Sequence, residues 1–142
     1  MRNKDIFVEK LRSSGLRPTK QRIEICKLLF DRKSTFHFSI DYLSNLLKEK
    51  SKEKISLATI YNTVHAFKKK DYLKEISINS SQSYFDTNTT DHHHFLDEDT
   101  NELIDCDNDV IDNINIKKNI TGKKINSVEV LIKVASDNQN QK

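Results

Sequence analysis

The hydrophobic period changes once between Ser56 and Asp86, from helical to alternating, and that switch constrains the fold more than any other feature. Leu57, Ile60, Val64 and Phe67 recur at i, i+3, i+7 and i+10, one continuous apolar stripe on a helix running to Lys70, with Ser56 placed as its N-cap. A second face carries Ala58, Tyr61, Asn62, His65 and Lys69, and the helix ends in Lys68-Lys69-Lys70. From Leu73 the period drops to two, with Leu73, Glu75 and Ser77 alternating against Lys74, Ile76 and Ile78. Asn79-Ser80-Ser81-Gln82 is turn chemistry, and Ser83 to Asp86 return as the second strand of a hairpin.

Three shorter helical patterns precede this unit. Phe7, Val8 and Leu11 form an apolar stripe that stops near Gly15. Pro18-Thr19 then opens a second helix, with Thr19 as N-cap and Ile23, Cys26 and Phe30 on one face. Ser39 caps a third, carrying Leu43, Leu46 and Leu47, and Lys48 to Lys54 is a charged connection. Helices followed by a two-faced helix and a hairpin make a winged helix-turn-helix. In that arrangement Ala58, Tyr61, Asn62, His65 and Lys69 face the major groove, while Arg17, Lys20, Arg22 and the lysines meet phosphates. A plain solvated helix face is the competing interpretation of the same residues.

Composition bounds the rest. The chain has 142 residues, 35% hydrophobic and 32% charged, enough for one domain or two small ones with a modest core. No apolar run exceeds three residues, which excludes a membrane-spanning helix and a signal-peptide core and leads us to expect a cytoplasmic protein. Cys26 and Cys106 are the only cysteines, too few for a disulfide scaffold or a four-cysteine zinc site. The formal net charge of +3 conceals a split: residues 1–75 hold 18 basic and 9 acidic groups, residues 76–142 hold 6 and 12. A basic half suits a polyanion, and an acidic half suits cations or solubility. Codon bias toward lysine explains Lys over Arg but not the separation of sign.

Three consecutive histidines, His92, His93 and His94, lie in the acidic half. On an extended strand His92 and His94 share a side and His93 faces away, so the outer pair can place two imidazoles on one first-row metal ion. Phe95-Leu96, a polar turn from Asp97 to Asn101, and Glu102 to Asp105 predict a hairpin that brings Asp105 beside the pair, with Asp86 a further nearby carboxylate. Mixed nitrogen and oxygen donors favour iron, manganese or zinc over copper(I). Cys106, beside Asp105, is expected to be a half-buried strand-end residue, and Cys26 a core residue.

Taken together, GLRPTKQR (Gly15–Arg22), HFSIDYL (His37–Leu43), SLATIYNTVHAF (Ser56–Phe67), YFDTNTTDHHHF (Tyr84–Phe95) and ELIDC (Glu102–Cys106) resemble the ferric uptake regulator (Fur) superfamily of bacterial metal-dependent repressors. The string FDTNT with three histidines looks most like the iron response regulator (Irr) branch, which controls haem synthesis and iron handling in response to haem. The resemblance implies an α+β fold: an N-terminal winged helix-turn-helix over residues 1–88, then a small α/β dimerisation domain over 89–135 that responds to metal or haem. It implies a homodimeric, non-enzymatic transcriptional regulator that binds AT-rich palindromic promoter DNA. Tyr61 matches the tyrosine that meets thymine, and Arg17 a basic position near the minor groove. The regulatory metal site carries over to His37, Asp86, His92, His94 and Asp105, and the haem-binding role to His92, His93 and His94, with haem or a divalent metal as cofactor.

The departures also carry information. Asp97 and Thr100 occupy the positions of a CxxC pair and no second pair follows, so no structural zinc site is expected. The Cys-Pro haem motif is absent, since Pro18 is the only proline. Asp71 stands where a glycine commonly ends the recognition helix. Aspartate at position 105 also occurs in peroxide-sensing relatives, which keeps a peroxide- or other-metal-sensing repressor open.

Beyond the metal hairpin, Val110, Ile111 and Ile114 predict a short helix after Asp107. Val128, Val130, Ile132 and Val134 alternate with Glu129, Leu131 and Lys133 as a strand that needs a partner subunit to cover it. Residues 136–142 read as a disordered tail. Two readings outside the class remain: a metal or haem storage module, which gives the polar helix face no use, and a metal-assisted hydrolase, which needs a separate base and a substrate pocket.

Overall fold

In a computed structural model, which describes residues 2–138, the chain is α+β and divides into two compact units, residues 1–89 and 90–142. The first contains helices α1 (Arg2–Ser13), α2 (Lys20–Phe30), α3 (Ile40–Lys50) and α4 (Leu57–Lys69), with strands β1 (His37–Phe38), β2 (Lys74–Ser77) and β3 (Ser83–Asp86). The second contains β4 (His94–Asp97), β5 (Glu102–Asp105) and β6 (Leu131–Val134). No described helix is long and apolar enough to cross a membrane.

Local chemistry sets the helix ends. Thr19, Ser39 and Ser56 each sit in extended conformation and accept a hydrogen bond from the third residue on, Arg22, Tyr42 and Thr59. At the other end α1 and α4 stop in the same way. The N–H of Leu16 reaches the carbonyl of Leu11 and that of Gly15 reaches Arg12; Tyr72 reaches Phe67 and Asp71 reaches Lys68. Both motifs need a left-handed residue, supplied by Gly15 at φ +78° and by Asp71 at φ +60°. Asp71 adopts this conformation despite its Cβ, as a short polar side chain permits.

The helices close over one core in the first unit, built from Phe7, Leu11, Ile25, Cys26, Leu29, Leu43, Leu47, Ile60, Val64 and Phe67, with Phe38 and Phe85 from the sheet. The α4 stripe begins one turn later than expected. Leu57 is 48% exposed, and Thr63 is buried instead, its hydroxyl donating to the Thr59 carbonyl at 2.7 Å. The hairpin forms as expected, and β1 joins its far side in the order β1-β3-β2. This register pairs Phe38 with Phe85 and His37 with Asp86.

The second unit has a much thinner interior. Leu96 and Leu103 are its buried hydrophobic residues among those described, cross-strand partners on the β4–β5 hairpin. β6 lies on the other side of β4 and runs parallel to it. The helix expected after Asp107 does not form, and residues 111–120 are without regular structure. Asp107, Asn108, Asp109, Asp112 and Asn113 crowd that stretch, and such side chains compete with the helix for backbone hydrogen bonds. The expected tail starts with an anchored residue: the Ser136 amide and hydroxyl both donate to Asp99 Oδ2. Its last residues, 139–142, lie outside the described part of the chain.

Candidate metal centre and nucleic-acid interface

The β4–β5 register places His94 directly opposite Asp105. In an antiparallel pair, opposed residues point to the same face. His94 Nε2 lies 3.1 Å from Asp105 Oδ1, and His92 Nε2 approaches the same oxygen at 3.2 Å. The two imidazole centroids are 4.2 Å apart. His94 is buried, while Asp105 keeps 41% of its side chain exposed. Two nitrogens and a carboxylate oxygen therefore converge within 4.8 Å of one another.

A backbone contact fixes the tautomer of His92. His92 Nδ1 lies 2.7 Å from the carbonyl oxygen of Thr90. A carbonyl can only accept, so Nδ1 carries the hydrogen and the neutral ring presents its Nε2 lone pair toward Asp105. A histidine that binds metal through Nε2 has this tautomer, and a backbone carbonyl is one of the usual partners of its Nδ1–H. The Nε2 lone pair of a neutral His92 aimed at a carboxylate oxygen is repelled unless a cation lies between them. A proton satisfies that demand in part, and a divalent metal ion satisfies it for all three groups. The donor set therefore fits a borderline first-row cation such as iron(II), manganese(II) or zinc(II).

His93 is different. Its Nδ1 accepts from the backbone N–H of Val130 at 2.8 Å, so in the neutral ring the hydrogen is on Nε2. The structure thus separates His93 from the outer pair more sharply than strand alternation alone. Cys106 is half-buried; its thiol is pushed above the usual range by burial first and by the Asp105 and Asp107 carboxylates next. An open cavity of about 340 Å³ borders His92, His93, Cys106, Asp107 and Asp112.

His37 and Asp86 belong to the first unit, where β1 and β3 set them side by side. Asp86 is completely buried, accepts from the Asn88 amide at 2.9 Å, and faces Lys74 across its other edge. Sequence periodicity does not find His37, because a two-residue strand has no period; only the motif resemblance singles it out.

The polar face of α4 is exposed along its length. Ala58, Tyr61, Asn62, His65 and Lys69 are all open to solvent. Tyr61 stacks on His65 with centroids 5.9 Å apart, and His65 meets the edge of Phe85 at 6.0 Å, so the hairpin braces the helix face. Arg17 and Lys20 are exposed at the start of α2. Arg22 donates through one terminal nitrogen to the Arg17 carbonyl at 3.0 Å, while its Nε has no hydrogen-bond partner among the described residues. Arg22, Thr19, Lys54, Ser56 and Thr59 border a concavity of about 350 Å³, a setting rich in hydrogen-bond donors.

Residues 13–134 match the ferric uptake regulator family. The chain is 36% identical over 98 residues to the peroxide-responsive repressor PerR of Staphylococcus epidermidis, an alignment covering 69% of this chain and 63% of that relative's length. It is 29% identical over 119 residues to the peroxide operon regulator of Bacillus subtilis, covering 83% of this chain and 80% of the relative. Its fold is similar to that of the Vibrio cholerae ferric uptake regulator, with a TM-score of 0.68 at 21% identity over 91% of this chain and 98% of the other.

Proposed function

The chain belongs to the ferric uptake regulator family, and from that premise we propose that it is a homodimeric, metal-responsive regulator that binds promoter DNA. One observation supports the metal-responsive part above all: His92 and His94 aim their Nε2 atoms at one oxygen of Asp105 while the Thr90 carbonyl holds His92 in the ligating tautomer. A divalent cation supplies there the positive charge that lets these donors stay together. His37 and Asp86 are the ligands the first unit contributes. Gathering both sets restrains the orientation of α4 and so selects the spacing of two recognition helices on a palindrome. Tyr61, Asn62 and His65 read base edges, while Arg17, Lys20, Arg22 and Lys69 hold phosphates.

Dimerisation is supported by what the second unit leaves uncovered. Ile104, Val110, Ile114, Ile116, Ile125 and Val128 are each about two-fifths or more exposed, beside an interior of two leucines. A unit so poor in core gains most from a second copy.

Peroxide sensing is a second reading, favoured by the two peroxide-responsive relatives and by aspartate at position 105. The iron- and haem-homeostasis reading uses the same ligands. In a haem-responsive switch His92, His93 and His94 are the candidate iron ligands, of which His93 would first have to release the Val130 amide.

Anaerobic binding to the protein's own upstream DNA separates these readings, measured metal-free, with manganese(II), with iron(II), and with haem. Metal-dependent binding that iron plus hydrogen peroxide destroys, and manganese plus peroxide does not, selects the peroxide sensor. Release by haem alone selects the haem-responsive regulator. Equal binding under all conditions sinks metal response altogether.

A further inference from the structure

His93 sits between two metal-ligand candidates without sharing their geometry. Its ring accepts from the Val130 N–H at 2.8 Å, and its carbonyl accepts from the Cys106 N–H at 2.9 Å. The next residue completes a clamp, because the His94 N–H donates to the Val130 carbonyl at 3.1 Å. Val130 is therefore gripped through both its N–H and its C=O, immediately before β6 begins its parallel run along β4. These contacts lie within one residue of the candidate ligands: His92 and His94 flank His93, and Asp105 precedes Cys106.

β6 is four residues long, and residues 123–130 leading into it have no regular structure. The Val130 clamp is therefore a large share of what docks its start. Short, exposed elements of this kind open locally far more often than a core strand does.

We propose that His93 is a positioning residue that couples metal occupancy to docking of the C-terminal strand; this rests on the metal-responsive function proposed for the same site. Holding His92 and His94 fixes the backbone on both sides of His93 and therefore fixes its ring against Val130. Strand docking in turn keeps the two ligand rings at their spacing, because coupling between two sites is reciprocal. His93 itself gives no electron pair to the metal, since its Nδ1 holds an amide and its Nε2 carries the hydrogen.

The test uses the full chain with manganese(II) chloride as the probe. Asparagine places its Oδ1 where the Nδ1 of His93 stands and can accept the Val130 amide; glutamine reaches the position of Nε2 instead. In the wild type, manganese is expected to slow amide exchange at Val130, by a factor within the ordinary coupling range of about 5–150. His93→Ala and His93→Gln should lose that protection and bind manganese more weakly by the same factor, and His93→Asn should restore both. Two results overturn the proposal. Loss of manganese binding in the asparagine variant, as complete as in alanine, makes His93 a ligand. Full metal-dependent protection of Val130 in the alanine variant shows that coupling bypasses the ring. If the wild type binds no manganese, the coupling falls together with the metal reading; faster Val130 exchange in metal-free His93→Ala would then show that the tether itself stands.

Discussion

The Nδ1 of His92 lies 2.7 Å from the carbonyl oxygen of Thr90, while the Nδ1 of His93, one residue on, lies 2.8 Å from the amide nitrogen of Val130. One ring donates at that position and the other accepts, so neighbouring histidines are held in opposite tautomers. Outer-sphere partners of a metal site are worth about 10–100-fold in affinity, and direct donors more. His92→Ala, His94→Ala and Asp105→Ala should therefore each weaken manganese(II) or zinc(II) binding by more than about 100-fold. Calorimetric titration of the three variants checks this. A variant that binds like the wild type removes its residue from the site.

Tyr61 and Lys69 share the exposed face of α4 but are expected to fail differently. Tyr61→Ala should reduce discrimination between the operator and scrambled DNA by about 1–3 kcal/mol while leaving the salt dependence unchanged. Lys69→Gln should weaken both DNAs alike and lower the slope of log K against log salt by about one per subunit. Fluorescence anisotropy across a salt series distinguishes the two. Identical profiles would mean that α4 does not lie in the major groove.

Asp71 occupies a left-handed position that Gly15 fills in the matching motif at the end of α1. Asp71→Gly should stabilise the chain by up to about 1 kcal/mol, because relief at Cβ exceeds the added chain entropy. Urea unfolding should show a higher midpoint with an unchanged slope. A lower midpoint would mean that the Asp71 side chain contributes more than its backbone costs.

Glu75 joins the end of α4 to the hairpin, accepting from Lys68 at 2.5 Å and from the Ser83 hydroxyl at 2.6 Å. The Lys68 bond first, then the Ser83 bond, hold its carboxyl below its ordinary value of 4.5. A depressed folded-state pKa gives stability that is present above the unfolded value and lost as pH falls through the folded one. Glu75→Gln should therefore lower stability at neutral pH and flatten its decline in acid. Parallel acid limbs for the two proteins would refute the coupling.

Burial pushes the Cys26 thiol up to about 12, the nearby Lys10 opposing only in part, while Cys106 is half-buried and raised less. Iodoacetamide at mildly alkaline pH should modify Cys106 slowly and leave Cys26 untouched until the protein unfolds. Peptide mapping reads this directly, and early alkylation of Cys26 would contradict its place in the core.

Much of this was legible in the sequence because it depends on neighbours along the chain. Thr19, Ser39 and Ser56 are caps by local chemistry, and the Leu96–Leu103 pair with its polar turn declares a hairpin that brings Asp105 to His94. What escaped depends on distant partners. β1 is two residues long and exists through pairing with β3, so His37 looks like a helix flank until Asp86 is seen opposite. β6 shows an alternating pattern, but parallel pairing to β4 and the shortening to Leu131–Val134 are not written in it. The same is true of the His93 ring, whose partner lies 37 residues away. After Asp107 the apolar spacing predicts a helix, and the surrounding Asn and Asp side chains overrule it.

The hairpin register gives this centre an evolutionary lever that leaves every ligand codon intact. Asp97 pairs with Glu102, so the four residues between them count out which side chain meets His94. Deletion of one turn residue, with Glu102 drawn in to re-form a four-residue turn, would bring Cys106 opposite His94 in place of Asp105. A one-residue slip exchanges the two faces of a strand. The donor set would trade a hard oxygen for a soft sulfur, a change that favours zinc over manganese. What opposes the slip is the buried pair Leu96 and Leu103, which would lose each other in the new register. On the proposed reading, two leucines outside the candidate ligand set hold the register that keeps Asp105 opposite His94, and turn length is the point at which that donor set could change.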